Sequence, residues 1–126
     1  MREISFRGKT TQDEWVYGFY ENVKLEEATI HYVNGRIVFP KTVGQFTGLT
    51  DKNGKKIFEG DIIKTKEFGK DSGNGVNFNN FDVFEVIYSS ASFKLNNSRR
   101  LFNMVKGQKF EVIGNIHDNP ELLQGE

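Results

Sequence analysis

The sequence predicts a mainly β fold, a small barrel-like or strongly bent antiparallel sheet built from hairpins and followed by a short C-terminal helix. Three observations carry that expectation. Apolar residues recur at every second position in several short runs, which is the period of a strand with one buried face. Residues 29–33 (TIHYV) and 36–39 (RIVF) flank Asn34-Gly35, a pair that accepts the positive φ angles of a two-residue hairpin turn. Twelve Phe and thirteen Gly against two Pro suit a fold of aromatic strands and many turns.

Taken in order, Ile4 and Phe6 alternate with polar neighbours and give a first strand ending near Gly8. Residues 10–14 (TTQDE) read as a turn. In WVYGFY, residues 15–20, the rings of Trp15, Tyr17 and Phe19 share one face while Val16 and Tyr20 point the other way, which predicts a two-sided, central strand. Residues 21–28 fit either a strand extension or a helical turn. After the Asn-Gly hairpin, Pro40 ends the strand by removing a donor.

Residues 42–65, TVGQFTGLTDKNGKKIFEGDIIKT, organise the chain as strand, turn, strand, turn, strand. Val43, Gln45, Thr47 and Leu49 fall on one side, Lys52-Asn53-Gly54-Lys55 reverses the chain, and Glu59-Gly60-Asp61 turns it again before Ile62-Ile63. Residues 66–80 (KEFGKDSGNGVNFNN) lack periodicity and read as a long mobile loop, with Val76 and Phe78 as a frayed strand end. Strands follow at 81–88, 93–95 and 110–116. Residues 99–105 suit a strand or one to two helical turns. Asn119-Pro120-Glu121 has the order of a helix start, a capping Asn, Pro at the first position and an acid in the first turn, so Leu122 and Leu123 should pack on the sheet from a short helix.

At 126 residues the chain fits one compact domain, 1–126, with a core large enough to need no staple. Seventeen basic and seventeen acidic side chains cancel, nine of each up to Ile63 and eight of each beyond it, so neither half is a basic module. With no cysteine there is no disulfide framework, thiolate metal site or cysteine nucleophile. The polar start and the lack of an apolar run near the ~20 residues that cross a bilayer predict a soluble, cytoplasmic protein with no membrane partner.

Four blocks, MREISFRG at 1–8, WVYGFY at 15–20, VGQFTGLTDKNGKKIFEGDIIK at 43–64 and FEVIGNIHDNPELL at 110–123, resemble the YopX family of phage and prophage proteins. The likeness runs through the chain in the right order, and residues 66–105 carry little of it. It implies a small phage- or prophage-encoded protein of β-rich fold that self-associates, in a bacterial host cell. It brings no assigned reaction, cofactor or catalytic residue.

The residues themselves offer few chemical candidates. Gly48 to Lys56 imitates a phosphate-binding loop but fails on glycine spacing, on Lys56 where a hydroxyl is required, and on the strand that follows. Asp51, Asn53 and Glu59 lack the spacing of a calcium loop. Glu59 and Asp61 could share a proton or a hard cation across Gly60, although an Asp at that place more often accepts a backbone N–H of its own turn. His31 in mid-strand and His117 beside Asp118 lack a third ligand or a placed nucleophile. No catalytic, metal or cofactor site is therefore expected, and the protein reads as a non-enzyme acting through an unknown protein partner or self-association. The alternative is a weak single-stranded nucleic-acid binder, with Trp15, Tyr17 and Phe19 as a stacking platform and Arg99, Arg100, Lys106 and Lys109 holding phosphates. Charge balance disfavours it.

Overall fold

The computed structural model describes residues 3–65, 82–98, 101–104 and 109–123. Among these, twelve strands form antiparallel sheets, as the alternating pattern requires, and the chain divides into two compact units, Met1–Gly48 and Leu49–Glu126.

The first unit holds two sheets. One has the order β2 (Trp15–Gly18), β1 (Phe6–Lys9), β6 (Gly44–Thr50), with Phe6 opposite both Gly18 and Gln45. The other has the order β3 (Tyr20–Lys24), β4 (Thr29–Val33), β5 (Arg36–Ile37). The Asn34-Gly35 hairpin forms as expected: Val33 pairs with Arg36, and φ is +52° and +76° at the two turn residues, which matches the right-handed twist of the flanking strands. Of residues 21–28, 21–24 are strand and 25–28 form the turn that follows. Leu25 N–H donates to the Ala28 carbonyl at 2.7 Å and closes a second tight hairpin.

The single central strand expected at 15–20 is instead two edge strands. At Gly18 φ is +142°, and this break sends β2 into one sheet and β3 into the other, each at the end of its strand order. Glycine inside a strand pattern loses the steric bias toward extended backbone, and alternation on either side of it need not stay in phase. Thr42, in a short 3-10 turn η1 (Pro40–Thr42), ties this unit together. Its Oγ1 donates to the Phe39 carbonyl at 2.6 Å and accepts from Lys9 N–H at 2.8 Å.

The second unit is a five-stranded sheet in the order β11 (Leu101–Asn103), β10 (Ser92–Asn96), β9 (Asp82–Ser89), β8 (Asp61–Thr65), β12 (Glu111–Asn115), preceded by β7 (Lys56–Phe58). Its core is Ile57, Ile63, Phe84, Val86, Leu95 and Phe110, with Leu49, Phe102, Met104 and Val112 packed against it. Fully burying each such side chain is worth about 1.5–3 kcal/mol, so this cluster is the main hydrophobic support of the sheet. Within the 99–105 stretch residues 101–103 are strand, and 99, 100 and 105 lie outside the described residues.

The expected C-terminal helix is a correction. Residues Pro120–Leu123 make one 3-10 turn, η2, with no buried residue. Leu122 N–H reaches back three residues to the Asn119 carbonyl at 3.1 Å, and Asn119 Oδ1 accepts from Asn115 N–H at 3.3 Å. That bond points the Asn119 carboxamide back toward β12. A single turn also carries the nucleation cost of a helix with few bonds to offset it. The expected loop at 66–80 lies outside the described residues.

One hairpin was legible only as a turn. Ser90 and Ala91 have φ of +51° and +65° between Ser89 and Ser92, so the β9–β10 reversal uses left-handed backbone with neither Asn nor Gly. An L-residue there costs about 1–2 kcal/mol. Lys94 Nζ compensates in part by donating to the Ser89 carbonyl and, at 2.7 Å, to Ser92 Oγ. Replacing Ser90-Ala91 with Asn-Gly should therefore stabilise the protein by about 1–2 kcal/mol, read as a rise in urea midpoint at unchanged slope; an unchanged or lower midpoint would refute the strain.

Candidate interaction surface

The carboxylates of the 42–65 stretch serve structure first. Asp51 is buried; its Oδ1 accepts from the N–H groups of Asn53 (2.8 Å) and Lys55 (2.9 Å), and its Oδ2 from Val112 N–H (3.0 Å). One side chain thus closes the β6–β7 turn and fastens it to β12, and Lys52 N–H adds a bond to the Phe110 carbonyl at 2.9 Å. Burial is the largest influence on the Asp51 pKa and pushes it up, yet the N–H groups of Val112, Lys55 and Asn53 with the Lys55 charge outweigh it, so the net shift is below the ordinary 3.8. The sequence signal for this was an Asp opening an Asn-Gly turn.

Asp61 and Glu59 each have a partner in view. Asp61 is 2% exposed and its Oδ2 accepts from Phe58 N–H at 2.8 Å, the turn-serving role expected of it. Glu59 instead bears on Glu85, whose pKa is raised first by burial and then by the Glu59 charge. Among the described residues no group of three or more His, Asp or Glu side chains is placed to hold a metal ion. His31 packs in the first unit, with Tyr20 Oη 2.7 Å from its Nδ1 and the rings stacked at 6.0 Å. His117 lies in a turn where Asn115 Oδ1 accepts the N–H groups of His117 and Asp118, both at 2.9 Å.

Of the aromatic platform, Trp15 is half-buried. The Arg7 guanidinium lies 4.7 Å and the Lys9 ammonium 5.6 Å from its ring centroid, because Arg7 and Lys9 share the Trp15-Tyr17 face of the β1–β2 pair. Tyr17 (51%) and Phe19 (75%) are exposed. Arg99, Arg100 and Lys106 lie outside the described residues. Lys109 is in the second unit, where its carbonyl accepts from Thr65 Oγ1 at 2.9 Å.

Among the described residues, one face of the β3–β4–β5 sheet carries a group of exposed apolar side chains. Register places Val23 opposite Ile30, Glu21 opposite Tyr32, and Tyr32 opposite Ile37. Glu21, Val23, Ile30, Tyr32 and Ile37 therefore line one side, and Phe19 and Leu25 flank β3 at its two ends. The other side carries fully buried Val33. Phe19, Val23 (44%), Leu25 (56%) and Ile37 (50%) are exposed, roughly 400 Å² of apolar side chain from the full areas of such residues. Apolar patches of that size mark interaction sites on monomers. Every residue from 21 to 29 is exposed, so the hairpin stands clear of the core of its unit. The sequence left residues 21–28 open between a strand and a helical turn, so this face was not legible in it.

No curated protein matches the sequence. Among solved structures, the chain is similar to the crystal structure of protein EF1440 from Enterococcus faecalis, at 23% identity and a TM-score of 0.56 over 98% of this chain and 99% of that one, which supports the fold alone. A family model described as YopX protein matches residues 2–124, nearly the whole chain and both of its units. The likeness noted at 1–8, 15–20, 43–64 and 110–123 is thereby established, and the chain belongs to the YopX protein family.

Proposed function

We propose that this protein is a non-enzymatic accessory protein of a phage or prophage, working in the host cytoplasm through protein contacts made by the outer face of the β3–β4–β5 sheet. The observation that supports this is the exposed row Phe19, Val23, Leu25 and Ile37 beside the open edge of β3. Apolar side chains held rigidly on a hairpin bind at low entropic cost, because the backbone is ordered before association. Asp51 and Asp61, two acids of the 42–65 stretch, are engaged in turns.

A second reading, binding of single-stranded nucleic acid, draws on exposed Tyr17 and Phe19 beside half-buried Trp15. One experiment separates the two. The Val23→Ser/Ile37→Ser variant should lose protein association, measured by native mass and by affinity capture, by at least tenfold while keeping its fold. Salt-sensitive retention on single-stranded DNA that falls with Tyr17→Ala and not with Val23→Ser/Ile37→Ser would favour the second reading.

A further inference from the structure

Resting on that reading, we infer that the outer face of the hairpin takes the basic Lys52–Lys56 turn of a second copy of this chain, in a head-to-tail contact. Residues 20–28 carry Glu21, Glu26 and Glu27 against Lys24, a net charge of −2, all four exposed. Residues 51–56 carry Lys52, Lys55 and Lys56 against Asp51, a net charge of +2, and the three lysines are exposed. Asp51 is already counted in that sum; its oxygens accept backbone N–H groups and its charge acts on Lys55, which leaves the turn basic on balance. Lys52 Nζ lies 3.5 Å from Glu111 Oε1, a partly exposed ion pair of the kind that contributes little in water.

The two surfaces match in shape chemistry as well as in sign. Lysine stems cover apolar surface while their ammonium groups reach past it. Laid along Phe19, Val23 and Leu25, they would set ammonium groups beside Glu21 within the apolar row and beside Glu26 and Glu27 at the hairpin tip. A standard interface buries about 800 Å² per partner, a little over half of it apolar, which is close to what the face exposes. Self-packing of this face about a two-fold axis is disfavoured, because it would bring Glu21 of each copy into the same apolar contact. A head-to-tail contact uses two different patches on each copy, so rings or chains of subunits follow.

The test is sedimentation and native mass of the purified full chain over a range of concentration. Wild type should self-associate, and more weakly as salt rises. Glu26→Lys/Glu27→Lys and Lys55→Glu/Lys56→Glu should each weaken association at least tenfold, and mixing the two variants should restore it, as should combining all four changes in one chain. A wild type that stays monomeric at low salt, charge reversal without effect, or no recovery on mixing would overturn the inference. If wild type is monomeric but a partner protein is bound and lost with Val23→Ser/Ile37→Ser, the contact surface stands and only its occupant is wrong. If that variant alters no association of any kind, the surface itself is refuted.

Discussion

Replacing Asp51 with alanine should lower the unfolding free energy by about 3 kcal/mol, the largest effect expected of any polar substitution here. The side chain is 7% exposed and serves three backbone donors, so its removal strands N–H groups in the turn and on Val112 together. Water can reach the exposed turn residues 53 and 55 and soften the loss there. Asp51→Asn keeps one acceptor oxygen and should cost less, about 1–2 kcal/mol.

The same carboxylate gives stability a pH dependence whose sign is fixed. Its folded pKa lies below 3.8, so in acid the unfolded chain binds the proton more readily than the folded one. The contribution is complete above the unfolded pKa and is lost as pH falls through the folded value. Urea unfolding at pH 7 and near pH 3 should show wild type losing more stability than Asp51→Asn; equal losses would mean that the carboxylate does not carry this term.

Gly8→Ala should cost about 2 kcal/mol, in the range of overpacking a filled site. A Cβ at position 8 would stand 2.9 Å from Val38 Cβ and 3.0 Å from both of its γ-carbons. Val38 is 3% exposed and held by its bridge to Thr10, and a β-branched side chain has little rotamer freedom with which to yield. The strain should appear as faster amide exchange at Phe39, whose N–H donates to the Lys9 carbonyl, with residues 57–63 unaffected. Uniform acceleration in both segments would show that the close approach at Gly8 is not a local constraint.

What could be read in advance was local. Asn34-Gly35 specifies its own turn, and Ile62-Ile63 and the apolar positions of 81–88 specify strands, because the information sits within a few residues. The break at Gly18 depends on two sheets competing for adjacent segments, and the Asp51 bond to Val112 joins residues 61 positions apart. Neither leaves a periodic trace. The same division holds for the candidate surface. The sequence put Phe19 on a face with Trp15 and Tyr17 and left residues 21–28 open between strand and helical turn, so the exposed row at Phe19, Val23 and Leu25 emerges only from the assembled unit. At the C-terminus the local helix signal lost to a backward bond from Asn119 to β12.

Amide hydrogen exchange as a function of protein concentration or added partner tests the central claim most directly. The account predicts protection that grows at residues 19–25 as association proceeds, with side-chain contact covering the outer face. Association that leaves those amides unchanged while protecting the β11 edge would contradict it.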